Sequence, residues 1–99
     1  MAEARLRVVA RVKARPDSVD EVQALLRGLV APTRREVGCI TYELLQNRKD
    51  PTDFTFVEEW DSEADLHRHA KSEHLQAVNP RLKEITAEPT DIRLYSLVE

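Results

Sequence analysis

Ninety-nine residues, 41% hydrophobic and 33% charged, suit one small domain with a single core and exclude a two-domain arrangement. Fifteen Lys and Arg against eighteen Asp and Glu leave a formal charge of −3. Both signs are scattered, so the chain has no basic stripe of the kind that tracks a nucleic-acid backbone, and no nucleic-acid partner is expected. The single cysteine, Cys39, excludes an intrachain disulfide and favours a reducing compartment. Met1 to Arg5 carries no signal-peptide stretch, and no apolar run approaches the roughly 20 residues that span a bilayer. The expected setting is cytoplasmic, with no membrane partner.

From Leu6 to Lys13 apolar residues alternate with mostly charged ones, placing Leu6, Val8, Ala10 and Val12 on one face of a first strand. Pro16-Asp17 ends it, and Ser18-x-x-Glu21 has the form of a capping box that opens a helix. Val19, Val22, Leu26, Leu29, Val30, Thr33 and Val37 then recur at helical spacing. Pro32 predicts a kink or restart near Ala31, and Gly38 a stop. Cys39 to Gln46 forms a second strand, with Ile40, Tyr42 and Leu44 opposite Cys39, Thr41, Glu43 and Leu45.

A turn-rich stretch from Asn47 to Asp53 joins it to a third strand in a hairpin. Period two places Phe54, Phe56, Glu58 and Trp60 of that strand on one side, a carboxylate among three aromatics. Ser62-x-x-Asp65 caps a short helix to about Lys71, and Ser72 caps another bearing Leu75, Val78, Leu82 and Ile85, which Pro80 is expected to split. A last strand runs from Asp91 to Val98, with Ile92, Leu94, Ser96 and Val98 against Arg93, Tyr95 and Leu97.

This order is the ferredoxin-like α+β arrangement βαββαβ, an antiparallel sheet with helices on one face. Leu45, Val57 and Leu97 lie opposite the main apolar stripes, and a second copy of the chain is the expected cover for that face. Three segments carry a family resemblance: Gly38-Cys39-Ile40-Thr41-Tyr42-Glu43-Leu44, Phe56-Val57-Glu58-Glu59-Trp60-Asp61-Ser62 and His69-Ala70-Lys71-Ser72-Glu73-His74-Leu75. Together they resemble the antibiotic biosynthesis monooxygenase (ABM) domain, the dimeric α+β barrel group that includes quinol monooxygenases. The resemblance covers nearly the whole chain, about residues 5–98, as a single domain.

It implies a homodimeric, cofactor-independent monooxygenase acting with molecular oxygen on a small reduced aromatic, a quinol or polyketide-like molecule. Similar domains also include haem-degrading enzymes, an isomerase of a phosphorylated signalling sugar, and proteins without assigned activity, so fold alone does not decide the chemistry. Haem-degrading relatives carry Asn, Trp and His where this chain has Ala10, His69 and Asn79, which argues against haem. A phosphate-binding Gly-rich loop is absent, since Gly28 and Gly38 are the only glycines. The isomerase stays open as an alternative beside a non-catalytic small-molecule-binding dimer.

Oxygenation without metal or flavin needs a substrate that can give an electron to oxygen, a base to ionise it, and a dry pocket. His69 and His74 are the candidate bases because imidazole accepts protons near neutral pH. Glu58 is expected to orient one of them, and Tyr42, Phe56 and Trp60 to hold the ring. A structural role weighs evenly against three of them: Glu58 with a histidine can be a clamp, and Trp60 and Tyr42 core, while Cys39 reads as a small buried hydrophobe and not a nucleophile. His67, two positions from His69, is expected to face solvent. His67, His69 and His74 do not share one helical face, and no carboxylate completes a ligand set by spacing, so no metal site is expected. Arg34-Arg35-Glu36 and the Asn47 to Asp53 loop read as solvated surface.

Overall fold

The structure is a computed structural model describing residues 5–99; residues 1–4, on which most of the signal-peptide argument rests, lie outside it. Its elements are β1 (Leu6–Lys13), α1 (Val19–Arg34), β2 (Cys39–Gln46), β3 (Asp53–Trp60), α2 (Glu63–Ala70), α3 (Glu73–Ile85) and β4 (Asp91–Ser96). The strands form one sheet in the order β2-β3-β1-β4, every neighbouring pair antiparallel. This is the expected ferredoxin-like α+β fold. No helix among the described residues is long and apolar enough to cross a membrane.

Alternation in the strands sets the two faces of the sheet. Tyr42, Glu58, Val8 and Leu94 make one cross-strand row, and Leu44, Phe56, Ala10 and Ile92 the next. These rows face the helices. Val8, Val12, Phe54 and Trp60 pack there with Val22, Leu26 and Leu29 of α1 and with Leu82 and Ile85 of α3, all buried. On the other face Leu45, Val57 and Tyr95 stay exposed, and so does Leu97 beyond the end of β4.

Four local expectations are corrected. Ser18 makes no capping bond: its hydroxyl donates to Asp17, and Glu21 is drawn away into a bidentate pair with Arg81 of α3. Such a fork is a stronger claim on the carboxylate than a cap amide. Helix α1 passes through Pro32 without restarting and ends at Arg34, leaving Val37 74% exposed and off the apolar stripe. Pro32 sits in the last turn, where the missing N–H costs only one bond close to the frayed end.

Helix α3 likewise runs unbroken through Pro80. Finally, a register irregularity between Cys39 and Thr41 reverses the start of β2: Cys39 stands opposite Trp60 and packs against the core, while Ile40 turns outward. The other caps form as expected, Ser62 accepting from the Asp65 amide and Ser72 from the Leu75 amide.

The turn between α1 and β2 is tightly wound. The amides of Arg35, Glu36 and Cys39 each bond a carbonyl three residues back, on Pro32, Thr33 and Glu36 respectively. Gly38 has φ +85°, and a Cβ there would collide with the Asp65 carboxyl, so only glycine lets the chain reverse this close to α2. Its carbonyl also accepts from the Asp61 amide at 2.8 Å, tying the turn to the end of β3.

Candidate active site

Helices α1, α2 and α3 do not fully cover the β1–β4 half of the sheet. Ile92 and Leu94, on the helix-facing side of the edge strand β4, remain 57% and 43% exposed. The uncovered space is a cavity of about 880 Å³, floored by Val8, Ala10, Phe56 and Leu94 and roofed by Leu26, Leu66, Leu75 and Leu82. Its polar lining includes Tyr42 and Glu58 from the sheet, His69 from α2 and Asn79 from α3, with His67, Thr86, Glu88 and Thr90 also bordering the space. Lys83 is the single lysine or arginine lining it. An apolar cleft with a few convergent polar groups is the usual form of a small-molecule site.

His69 is 5% exposed at the end of α2 and is fixed from three sides. Its ring lies 4.9 Å from Trp60 and 5.5 Å from Tyr42, and Tyr42 in turn stacks on Phe56 at 4.7 Å. Its Nδ1 is 2.7 Å from Glu36 Oε2. The same carboxylate oxygen lies 2.6 Å from Nε2 of His74. A carboxylate oxygen can only accept here, so both imidazoles donate an N–H to it, and in the neutral ring of His69 the nitrogen left to accept is Nε2, on a ring that lines the cavity.

The carboxylate that serves the histidines is therefore Glu36, not Glu58. Glu58 Oε1 instead accepts from the indole N–H of Trp60 at 2.8 Å, two residues along the same strand face. Burial pushes the Glu58 carboxyl up to about 7, opposed by the Trp60 hydrogen bond and reinforced by the negative charge of Glu36. Burial likewise raises the Tyr42 hydroxyl far above its ordinary range, with Glu58 adding to the effect.

The six expected site residues thus divide. His69, Glu58, Tyr42 and Phe56 come together on the cavity wall. His74 is brought to Glu36 but does not line the cavity, and Trp60, fully buried, stands behind the wall as support for His69 and Glu58. His67 is exposed as expected and pairs loosely with Glu63.

Glu36, which the polar run Arg34-Arg35-Glu36 presents as surface, is the residue that sequence reasoning missed. The expectation that no carboxylate completes a ligand set with the histidines rested on spacing along the chain, and Glu36 reaches His69 and His74 across the turn that Gly38 closes. The one local hint is its place two residues before the glycine that precedes β2. Cys39 is a small, partly buried side chain whose thiol is pushed up by burial, the opposite of an activated nucleophile.

Comparison with known proteins agrees with this fold over most of the chain. Residues 5–81 match the family model described as antibiotic biosynthesis monooxygenase. Rv0793 of Mycobacterium tuberculosis, named as a candidate monooxygenase, is 31% identical over 89 residues, covering 90% of this chain and 87% of its own. The Synechocystis protein sll1783 is 28% identical over 92 residues, and the chain spans 63% of its length.

Among solved structures, PA3566 of Pseudomonas aeruginosa superimposes with a TM-score of 0.94 at 29% identity, over 100% of this chain and 99% of that one. A structure described as an antibiotic biosynthesis monooxygenase gives 0.89 at 34% identity, over 95% and 99%. With the family model matched from β1 into α3, the chain belongs to the antibiotic biosynthesis monooxygenase family.

Proposed function

We propose that the protein is a homodimeric, cofactor-independent oxygenase of the quinol monooxygenase type, acting on a small reduced aromatic in the cavity between sheet and helices. The observation that carries this reading is His69: a buried imidazole with Nδ1 engaged by Glu36, lining an apolar cleft beside Tyr42 and Phe56. In this reading Nε2 of His69 takes a proton from a hydroquinone hydroxyl or an anthrone. The resulting anion is electron-rich enough to reduce molecular oxygen directly. For an anthrone, the ring methylene becomes a carbonyl and the second oxygen atom leaves as water. Glu36 and His74 hold the tautomer of His69, a positioning role.

Glu58, protonated up to about pH 7, offers an O–H where the substrate oxyanion forms. Tyr42 and Phe56, stacked on each other, supply a flat wall for the ring. A cavity wall with one lysine favours such a substrate over a phosphorylated sugar.

Oxygen uptake by chelator-treated protein, measured over a panel of hydroquinones and anthrones and corrected for autoxidation, tests the reading. Saturable uptake that falls at least about tenfold in His69→Asn, with the fold intact by circular dichroism, is the expected result. Saturable uptake with His69→Asn unaffected removes His69 as the base. Ligand binding without oxygen consumption across the panel would instead favour a binding protein.

The dimer rests on the open sheet face, where Leu45, Val57 and Tyr95 are 50%, 36% and 46% exposed. A second copy packed face to face is the two-fold solution that buries them. Sedimentation equilibrium at micromolar concentration should return twice the chain mass; a monomer there removes the dimer and leaves the cavity argument standing.

A further inference from the structure

We propose that Glu36, His69 and His74 form a binding site for one divalent transition-metal ion of the zinc type. Their ligand atoms, Oε2 of Glu36, Nδ1 of His69 and Nε2 of His74, all lie within 4.8 Å of one another. Two imidazoles and one carboxylate are a common ligand set for such ions, whereas calcium and magnesium take mainly oxygen ligands. Bonds of about 2.0–2.1 Å at tetrahedral to octahedral angles place ligand atoms roughly 2.8–3.4 Å apart. The two nitrogens now sit 2.7 and 2.6 Å from Oε2, so an ion needs the carboxylate to draw back by a few tenths of an ångström.

The side chains are otherwise held in place. The Glu36 backbone is bonded on both sides, at its amide and its carbonyl, and the His69 ring lies between Trp60 and Tyr42. His74 projects from the first turn of α3. The ligands come from three separate segments, so the fold itself assembles the set. The Glu36 and His74 side chains are 15% and 23% exposed, enough for an ion to enter and keep a water ligand.

The site has a consequence that rests on His69 acting as the base. Without an ion, Nδ1 of the neutral His69 ring carries the proton donated to Glu36, and Nε2 accepts. An ion bound at Nδ1 moves that proton to Nε2, and the neutral ring neither gains nor loses one overall. Nε2 then becomes a donor. Metal binding and proton abstraction are mutually exclusive at this imidazole, and the ion is an inhibitor.

The test uses untagged protein stripped with a chelator and needs no substrate. Cobalt(II) is titrated while its visible absorption is followed, and zinc is titrated in competition with a chromophoric chelator. One ion per chain is expected, with micromolar or tighter affinity, weakened at least about tenfold in both Glu36→Gln and His74→Asn and unchanged in His67→Ala. Any other stoichiometry, weaker affinity, or a smaller loss in both variants overturns the site. If one variant fails to fold by circular dichroism, the other decides. Zinc inhibition of oxygen uptake, reversed by chelator, tests the consequence separately, so failure of the oxygenase reading leaves the metal titration interpretable.

Discussion

Replacing Glu58 with glutamine is expected to abolish a loss of stability that the wild-type protein suffers as pH rises from about 4.5 to about 7. The carboxyl is 4% exposed in the folded chain, where burial favours its neutral form and lifts its titration above the ordinary value near 4.5. Below about 4.5 both folded and unfolded chains hold the proton, and Glu58 contributes no pH dependence. Between the two values the unfolded chain has released its proton while the folded chain retains it, so each further rise in pH favours unfolding. Above about 7 both are ionised and the full cost of a buried carboxylate is present. At about 1.4 kcal/mol per unit, the shift corresponds to about 3 kcal/mol.

Glutamine keeps an oxygen to accept the Trp60 indole N–H and carries no charge, so the same packing survives without the slope. Urea unfolding of both proteins at pH 5 and pH 8 should show near-equal stability at pH 5 and a clear advantage for Glu58→Gln at pH 8. Parallel pH curves for the two proteins would show that Glu58 is solvated, and would remove the protonated donor from the cavity.

The contrast between Glu58 and Glu36 shows which parts of the site were legible in sequence. Residues two apart on a strand share a face, so alternation alone placed Glu58 beside Trp60 on β3, and the bond between them is local. Strand alternation and the serine caps at Ser62 and Ser72 likewise marked the elements, because each is a short-range preference that the tertiary fold leaves alone. Where a distant partner competes, local reasoning fails. Ser18-x-x-Glu21 reads as a capping box, but Arg81 is 60 residues from Glu21 in the chain and takes the carboxylate.

The reversal at Ile40 depends on how β2 meets β3, and alternation within β2 does not encode it. Glu36 is the extreme case. Its partners lie 33 and 38 residues away, on the end of one helix and the start of another, and only the turn at Gly38 carries it to them. A pairing of His69 or His74 with Glu58 was the nearest reading available from spacing, and it named the wrong carboxylate.

Removing the Glu36 side chain altogether should be among the most damaging single changes outside the apolar core. In Glu36→Ala two imidazole N–H groups lose the one acceptor they have among the described residues, and one of them is on a ring that is 5% exposed. Hydrogen bonds to a charged group contribute about 1.5–3 kcal/mol each, and a buried donor left without a partner costs its desolvation as well. His74, partly exposed, recovers some of its share from water, which leaves an expected loss of about 3 kcal/mol. For a domain of this size that corresponds to a fall in melting temperature of more than about 10 °C.

Glu36→Gln separates charge from hydrogen bonding. Its amide oxygen, set in the place of Oε2, can accept from both His69 Nδ1 and His74 Nε2 as a neutral acceptor. The variant should therefore retain more than half of the lost stability. It should also keep the His69 proton on Nδ1, where nitrogen-15 NMR of the imidazoles would report the same tautomer as in the wild type. In Glu36→Ala the His69 signals should shift toward the tautomer mixture of a free imidazole. Equal stability of the alanine and wild-type proteins would mean that the histidines are solvated and that Glu36 neither fixes the tautomer of His69 nor joins helices α2 and α3 to the turn before β2.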